Sequence, residues 1–144
     1  MLVQQILKAK GDDKVITIKP GTLVSDAARI LAERRIGGLV VSEDGKQIQG
    51  ILSERDIVRS LAVRGATCLS DRIDDMMTRN PVCCARGDTS DQVLTRMTEG
   101  RFRHMPVVED GELVGIVTIG DVVSSRLSEL AMEKDALQGM IMGH

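Results

Sequence analysis

Aromatic side chains are nearly absent from this 144-residue chain: one Phe, no Tyr and no Trp. A core must therefore be built from Ile, Leu, Val, Met and Ala, and apolar residues at 42% suffice to fill one. Binders that stack single-stranded bases on aromatic faces are disfavoured by the same shortage. Charge of one sign is missing too. The net charge is −2 with acids and bases interspersed, which gives no reason to expect DNA or an anionic membrane surface as partner. No apolar run approaches the roughly 18 residues of a membrane span. Cysteine is sparse and odd in number. Cys68, Cys83 and Cys84 have no CxxC spacing, so reduced thiols in a cytoplasmic protein are expected, with Cys83 and Cys84 as small apolar residues on a strand. Only two histidines occur, one of them the final residue, and no metal-ligand cluster can be assembled on the usual spacings. The opening "MLVQQILKAKG" lacks the basic start and cleavage site of a signal peptide, so it is not expected to be one.

What the chain does have is a repeat. Slid by 66 positions, residues 21–45 lie over residues 87–111, with glycine on glycine at both ends. One residue is then lost in a turn, and "GILSERD" (50–56) meets "GIVTIGD" (115–121). Each copy reads β-α-β-β-α. Short strand-like runs, "VITI" and "VCC", come first. Apolar residues at helical spacing follow (Val24, Ala27, Leu31; Val93, Leu94, Met97). Two β-rich runs then flank an Asp-Gly turn in each copy, "EDGK" and "EDGE", predicting tight hairpins. A second helix opens at Ser53–Asp56 and at Thr118–Asp121. A three-stranded sheet with helices on one side cannot cover both its faces, so the two copies should pack together. The expected boundaries are repeat 1 over 12–65, a linker over 66–78, repeat 2 over 79–130 and a helical tail over 131–144. Residues 2–9 should form a short amphipathic helix, and 121–142 one long helix. The latter carries a stripe of Val123, Leu127, Leu130, Leu137 and Ile141. That stripe packs either on the chain's own core or on another subunit.

The repeated motif has two readings. An aspartate at a strand-to-helix junction is a natural cap, since its carboxylate accepts from free backbone N–H groups. The same geometry serves a ligand, because a helix start attracts anions and a hydroxyl beside a carboxylate matches a ribose phosphate. Arg55 lies inside the first motif, and "RFRH" (101–104) precedes a strand in the second copy. Alone, these cations would be read as a solvated edge.

"GILSERD", "GIVTIGD", "DDMMTRNPV" and "RHMPVVEDGELVGIVTIGDVV" together resemble a tandem pair of CBS domains, a Bateman module, over about residues 12–130. Small bacterial CBS pairs share this wording. The resemblance implies an α/β (α+β) fold: two β-α-β-β-α repeats packed about a pseudo-twofold axis, with helical extensions at both ends. It also implies two clefts for an adenosine-containing small molecule. AMP comes first, with ADP, ATP, NAD(H) and S-adenosylmethionine in the same class. Carried over by position, Asp56 and Asp121 would hold ribose hydroxyls, and Ser53 and Thr118 would line the ribose-phosphate end. Thr22, Ile36 and Gly37 would serve the Asp121 site, and Val82, Cys83, Phe102 and Arg103 the Asp56 site. Arg55, Arg103 and His104 would meet phosphates, His104 with an ordinary histidine pKa near 6.5.

The copies also differ. Gly37 and Gly38 stand where the second copy has Arg103 and His104, and Gly120 stands where the first has Arg55. The two sites should therefore not be equivalent. The resulting expectation is a cytoplasmic homodimer that binds an adenine nucleotide and signals to an unidentified partner protein. Its rival is a ligand-free interaction scaffold whose motifs are only caps. No catalytic residue, catalytic cofactor or metal is expected, because no dinucleotide, P-loop, zincin or nucleophile–base motif is present.

Overall fold

The computed structural model describes residues 1–11 and 15–141. The first residues of the expected repeat 1 (12–14) and the last of the expected tail (142–144) lie outside the described residues. In chain order come α1 (Val3–Lys10), β1 (Thr17–Ile18), α2 (Val24–Arg34), β2 (Gly38–Val41), β3 (Gly50–Ser53) and α3 (Glu54–Arg64). Two 3-10 turns follow, Gly65–Ser70 and Ile73–Asp75. The second half has β4 (Thr78–Arg79), α4 (Ser90–Gly100), β5 (His104–Glu109), β6 (Glu112–Thr118) and α5 (Ile119–Ile141). The β-α-β-β-α unit thus occurs twice, although the first strand of the second copy shrinks to one parallel bridge, Cys84 to Val107. "VCC" is accordingly not a strand; Cys83 turns its Sγ back toward the Pro81 carbonyl, 3.3 Å away.

β1 runs parallel to β2, β2 pairs antiparallel with β3, and β4 adds to the far edge of β3. β5 and β6 form the second sheet. Of the two predicted hairpins only one is tight. Asp110 and Gly111 both take positive φ (51° and 78°), as a two-residue turn between right-twisted strands requires. In the first copy the strands stop at Val41 and resume at Gly50. There Asp44 Oδ1 gathers the Lys46 N–H (2.8 Å), the Gln47 N–H (2.9 Å) and the Ser42 hydroxyl (3.2 Å), and builds a wider loop. Those backbone bonds, Gln47 first, hold the Asp44 carboxyl below its usual range.

Each repeat has its own apolar core. Val24, Ala27, Leu31, Leu39, Val41, Leu52 and Ile57 make the first, and Val93, Met97, Met105, Val107, Val117 and Val122 the second. Each core also takes a residue from the chain ahead of the other repeat. Ile73, fully buried, completes the first core, and Val3, fully buried, completes the second. The hydrogen bonds follow the same exchange. Val24 N–H donates to Asp71 O (2.9 Å) and Ile73 N–H to Thr22 O (2.9 Å). In the other half Ser90 N–H donates to Met1 O (2.8 Å) and Val3 N–H to Asp88 O (2.9 Å). Residues 66–78 are therefore structural: they give the first repeat a core side chain and lead into the edge strand β4.

Sequence alignment of the copies sets Gly38 opposite His104. In space the two touch: a Cβ on Gly38 would come within 2.9 Å of the His104 ring. A residue in contact with its own counterpart sits on the axis that relates the copies, so the pseudo-twofold passes between them. At the C-terminus α5 is one unbroken helix through the expected boundary at 130. Val122 and Ser125 are buried, but Val123, Leu127, Leu130, Leu137 and Ile141 are exposed. The stripe does not pack on the chain's own core.

Candidate functional site

Both repeated motifs fold the same way, as a strand running straight into a helix. At the end of β3, Ser53 N–H donates to Asp56 Oδ2 (2.9 Å), and Asp56 N–H donates to the Ser53 hydroxyl (3.4 Å). At the end of β6, Thr118 N–H donates to Asp121 Oδ2 (2.9 Å), and Asp121 N–H donates to Thr118 Oγ1 (3.1 Å). These are reciprocal capping boxes, so both aspartates serve their helix starts. Each also leaves one carboxylate oxygen outside its box. The two readings of the motif are thus geometrically compatible.

A cleft opens beside each box. The Asp56 cleft encloses about 370 Å³, within the range of small-molecule sites. Ser53, Arg55 and Asp56 line it. Ile51, Pro81, Val82 and Phe102 supply apolar wall, and Arg103 and His104 close the centre. Four arginines face two carboxylates here, counting Arg59, Arg101 and Glu54 with those already named. Cys83 lies outside this lining.

The other cleft is larger, about 760 Å³, and is built differently. Ile36, Gly37, Gly38, His104 and Thr118 line it, together with Val15, Ile16, Leu7, Lys10, Arg35 and Arg86. Thr22 does not; its hydroxyl donates to Lys19 O (2.7 Å) in a turn. Gly120 is exposed on the first turn of α5. Asp121 also stands outside the lining, and Lys10 Nζ lies 2.9 Å from its Oδ2. Arg86 Nε approaches Glu109 Oε2 at 3.1 Å but without hydrogen-bond geometry, so their contact is an ion pair only. Of the lining residues the sequence reading did not name, Ile16 had a signal. It is the counterpart of Val82 at the same 66-residue offset. Lys10 had none, since it precedes the repeat.

His104 lines both clefts. Burial pushes its pKa below the ordinary value, opposed by nearby Glu54 and reinforced by Arg103. That downward shift runs against the expectation of a histidine titrating at its ordinary pKa. Cys83 and Cys84 offer no reactive thiolate: burial, with the charge of Asp88, pushes Cys84 up to about 12, and burial also raises Cys83. No metal-binding cluster of His, Cys, Asp or Glu occurs among the described residues, and no described helix is long and apolar enough to cross a membrane.

The architecture is that of a tandem pair of β-α-β-β-α modules with a cleft on either side of a pseudo-twofold axis. The CBS domain family model matches residues 11–63 and 73–128, and the chain belongs to that family as a tandem pair. A CBS-domain containing protein from Agrobacterium tumefaciens is 42% identical, with TM-score 0.84 over 88% of this chain and 99% of that one. The CBS domain pair of protein MJ0100, solved with 5'-methylthioadenosine and S-adenosylmethionine, is 30% identical, with TM-score 0.74 over 88% of this chain and 98% of that one. A CBS domain protein from Pyrobaculum aerophilum, complexed with AMP, is 26% identical, with TM-score 0.77 over 92% of this chain and 99% of that one. Among curated proteins, a CBS domain-containing protein of Arabidopsis thaliana is 33% identical over 88% of this chain, which spans 23% of that relative's length.

Proposed function

We propose that this chain is a regulatory module that binds an adenine nucleotide, AMP foremost, in the Asp56 cleft and passes the resulting change to a partner protein. The observation that carries this reading is the set of groups that line that cleft. A hydroxyl and a carboxylate, Ser53 and Asp56, line it beside Arg55. An apolar slot of Ile51, Val82 and Phe102 can take a purine. Arg103 closes the phosphate side. The adenosine ligands of two similar structures, AMP in one and S-adenosylmethionine with methylthioadenosine in the other, support the same ligand class. ATP and NAD(H) extend AMP from its phosphate and fit the reading as alternatives.

Any signal must come from differential affinity, since a ligand shifts an equilibrium only by binding one state better. The clefts lie between the repeats, so a ligand bound to both halves favours one mutual arrangement. The exposed stripe of α5, with Val58, Leu61 and Val63 of α3, supports a homodimer as the assembled form. Three unpaired cysteines suit the cytoplasm. Equilibrium dialysis against adenosine, AMP, ATP, NADH and S-adenosylmethionine tests the reading. Retention of AMP above adenosine is expected, because a phosphate adds charge-assisted bonds. Retention of none of the five would leave the motifs as helix caps in an interaction scaffold.

A further inference from the structure

α1 is held against the second repeat along its length. Val3 and Ile6 are buried in that repeat's core. Leu7 lies over Gly115 so closely that a Cβ there would come within 2.8 Å of its Cδ2. The last turn then delivers Lys10. Its ammonium sits 2.9 Å from Asp121 Oδ2 and donates to the Ile116 carbonyl at 2.9 Å. Only 29% of the Lys10 side chain and 20% of the Asp121 side chain are exposed, so water screens this pair less than a surface pair.

Among the described residues the first cleft has no such cation paired with its aspartate. There β4 takes the place of α1, and Met77 lies over Gly50 as Leu7 lies over Gly115. The chain continues through Thr78 to the neutral Asn80, which lines the Asp56 cleft. Among the described residues Asp56 pairs only with Arg59, at 4.0 Å and with a side chain 72% exposed.

We propose that Lys10 is the residue that makes the two clefts unequal: its ammonium pins Asp121 through Oδ2, the oxygen already in the capping box, and its charge competes for that carboxylate, so the second cleft takes a nucleoside poorly and the chain binds one adenine nucleotide, at Asp56. This rests on the nucleotide reading of the Asp56 cleft. A ribose diol must compete with a tethered ammonium for Asp121. It meets no comparable competitor at Asp56. Removing the ammonium should therefore raise the affinity of the second cleft by roughly tenfold, equivalent to about 1.4 kcal/mol.

Calorimetric titration with AMP on the full chain decides it, with Lys10→Met, Lys10→Gln and Lys10→Met/Asp121→Ala beside the wild type. Thermal melts verify that each protein is folded, and the Gln variant serves if Met disturbs α1. The expected result is one site per wild-type chain, two in either Lys10 variant, and one again in the double variant. Two equal sites in the wild type would overturn the proposal. So would a Lys10 variant that stays at one site, or one that binds more weakly, which would make Lys10 a ligand contact. Absence of AMP uptake by all four proteins would sink the nucleotide reading and this proposal with it; one wild-type site with unchanged variants sinks the proposal alone.

Discussion

Asp56→Ala removes two roles at once, and the two can be separated by measurement. The first is the cap. Ser53 N–H loses its acceptor at 2.9 Å, and the start of α3 loses its capping box. That should cost about 0.5–2 kcal/mol of stability. The second is the proposed ribose contact. The carboxylate is 17% exposed beside a cleft, and a hydrogen bond to a charged group contributes about 1.5–3 kcal/mol. AMP affinity should fall by roughly 10- to 150-fold. Asp56→Asn keeps an acceptor for Ser53 while losing the charge, so it should hold most of the stability and still lose affinity. Urea unfolding gives the first quantity, and calorimetry with AMP gives the second. If Asp56→Ala loses stability but binds AMP like the wild type, the repeated aspartate is only a cap.

Four further outcomes are expected. Ile73→Ala should destabilise the protein by about 2–5 kcal/mol in urea unfolding, because Ile73 is fully buried in the first core; a loss near zero would return residues 66–78 to the status of a passive linker. Arg103→Ala should remove most of the advantage of AMP over adenosine in calorimetry, while an unchanged ratio would leave Arg103 a solvated edge. His104 has a folded-state pKa depressed by burial, so its contribution to stability is present above the unfolded-state value near 6.5 and is lost as pH falls below it. Stability of the wild type should therefore drop faster than that of His104→Gln below about pH 6.5, and parallel pH profiles would refute the assignment. Leu127→Glu with Leu137→Glu, both on the exposed stripe, should convert a dimer to a monomer in light scattering; a dimer that persists would place the interface elsewhere.

The repeat was legible in the sequence because it is local. Periodic apolar positions, the serine–aspartate and threonine–aspartate boxes and the Asp-Gly turns each depend on residues close in the chain. The helix Ser90–Gly100 and the tight turn at Asp110–Gly111 follow from such neighbours. The same information did not separate the two Asp-Gly turns, since the wider loop depends on how Asp44 folds back on Lys46 and Gln47. The inequality of the copies was also visible, as Gly37 and Gly38 against Arg103 and His104. That Gly37 and Gly38 meet His104 on one axis was not, because contact across repeats depends on packing rather than spacing. Burial at that axis lowers the His104 pKa, and a sequence carries no measure of burial for one ring. The exchange of Val3 and Ile73 between the two cores, and the ion pair of Lys10 with Asp121, join positions far apart in the chain. Neighbouring residues thus determined the motif and the elements around it. Only the closing of the chain on itself decided which cation meets which carboxylate, because that distance is set by packed helices and not by any pattern along the sequence.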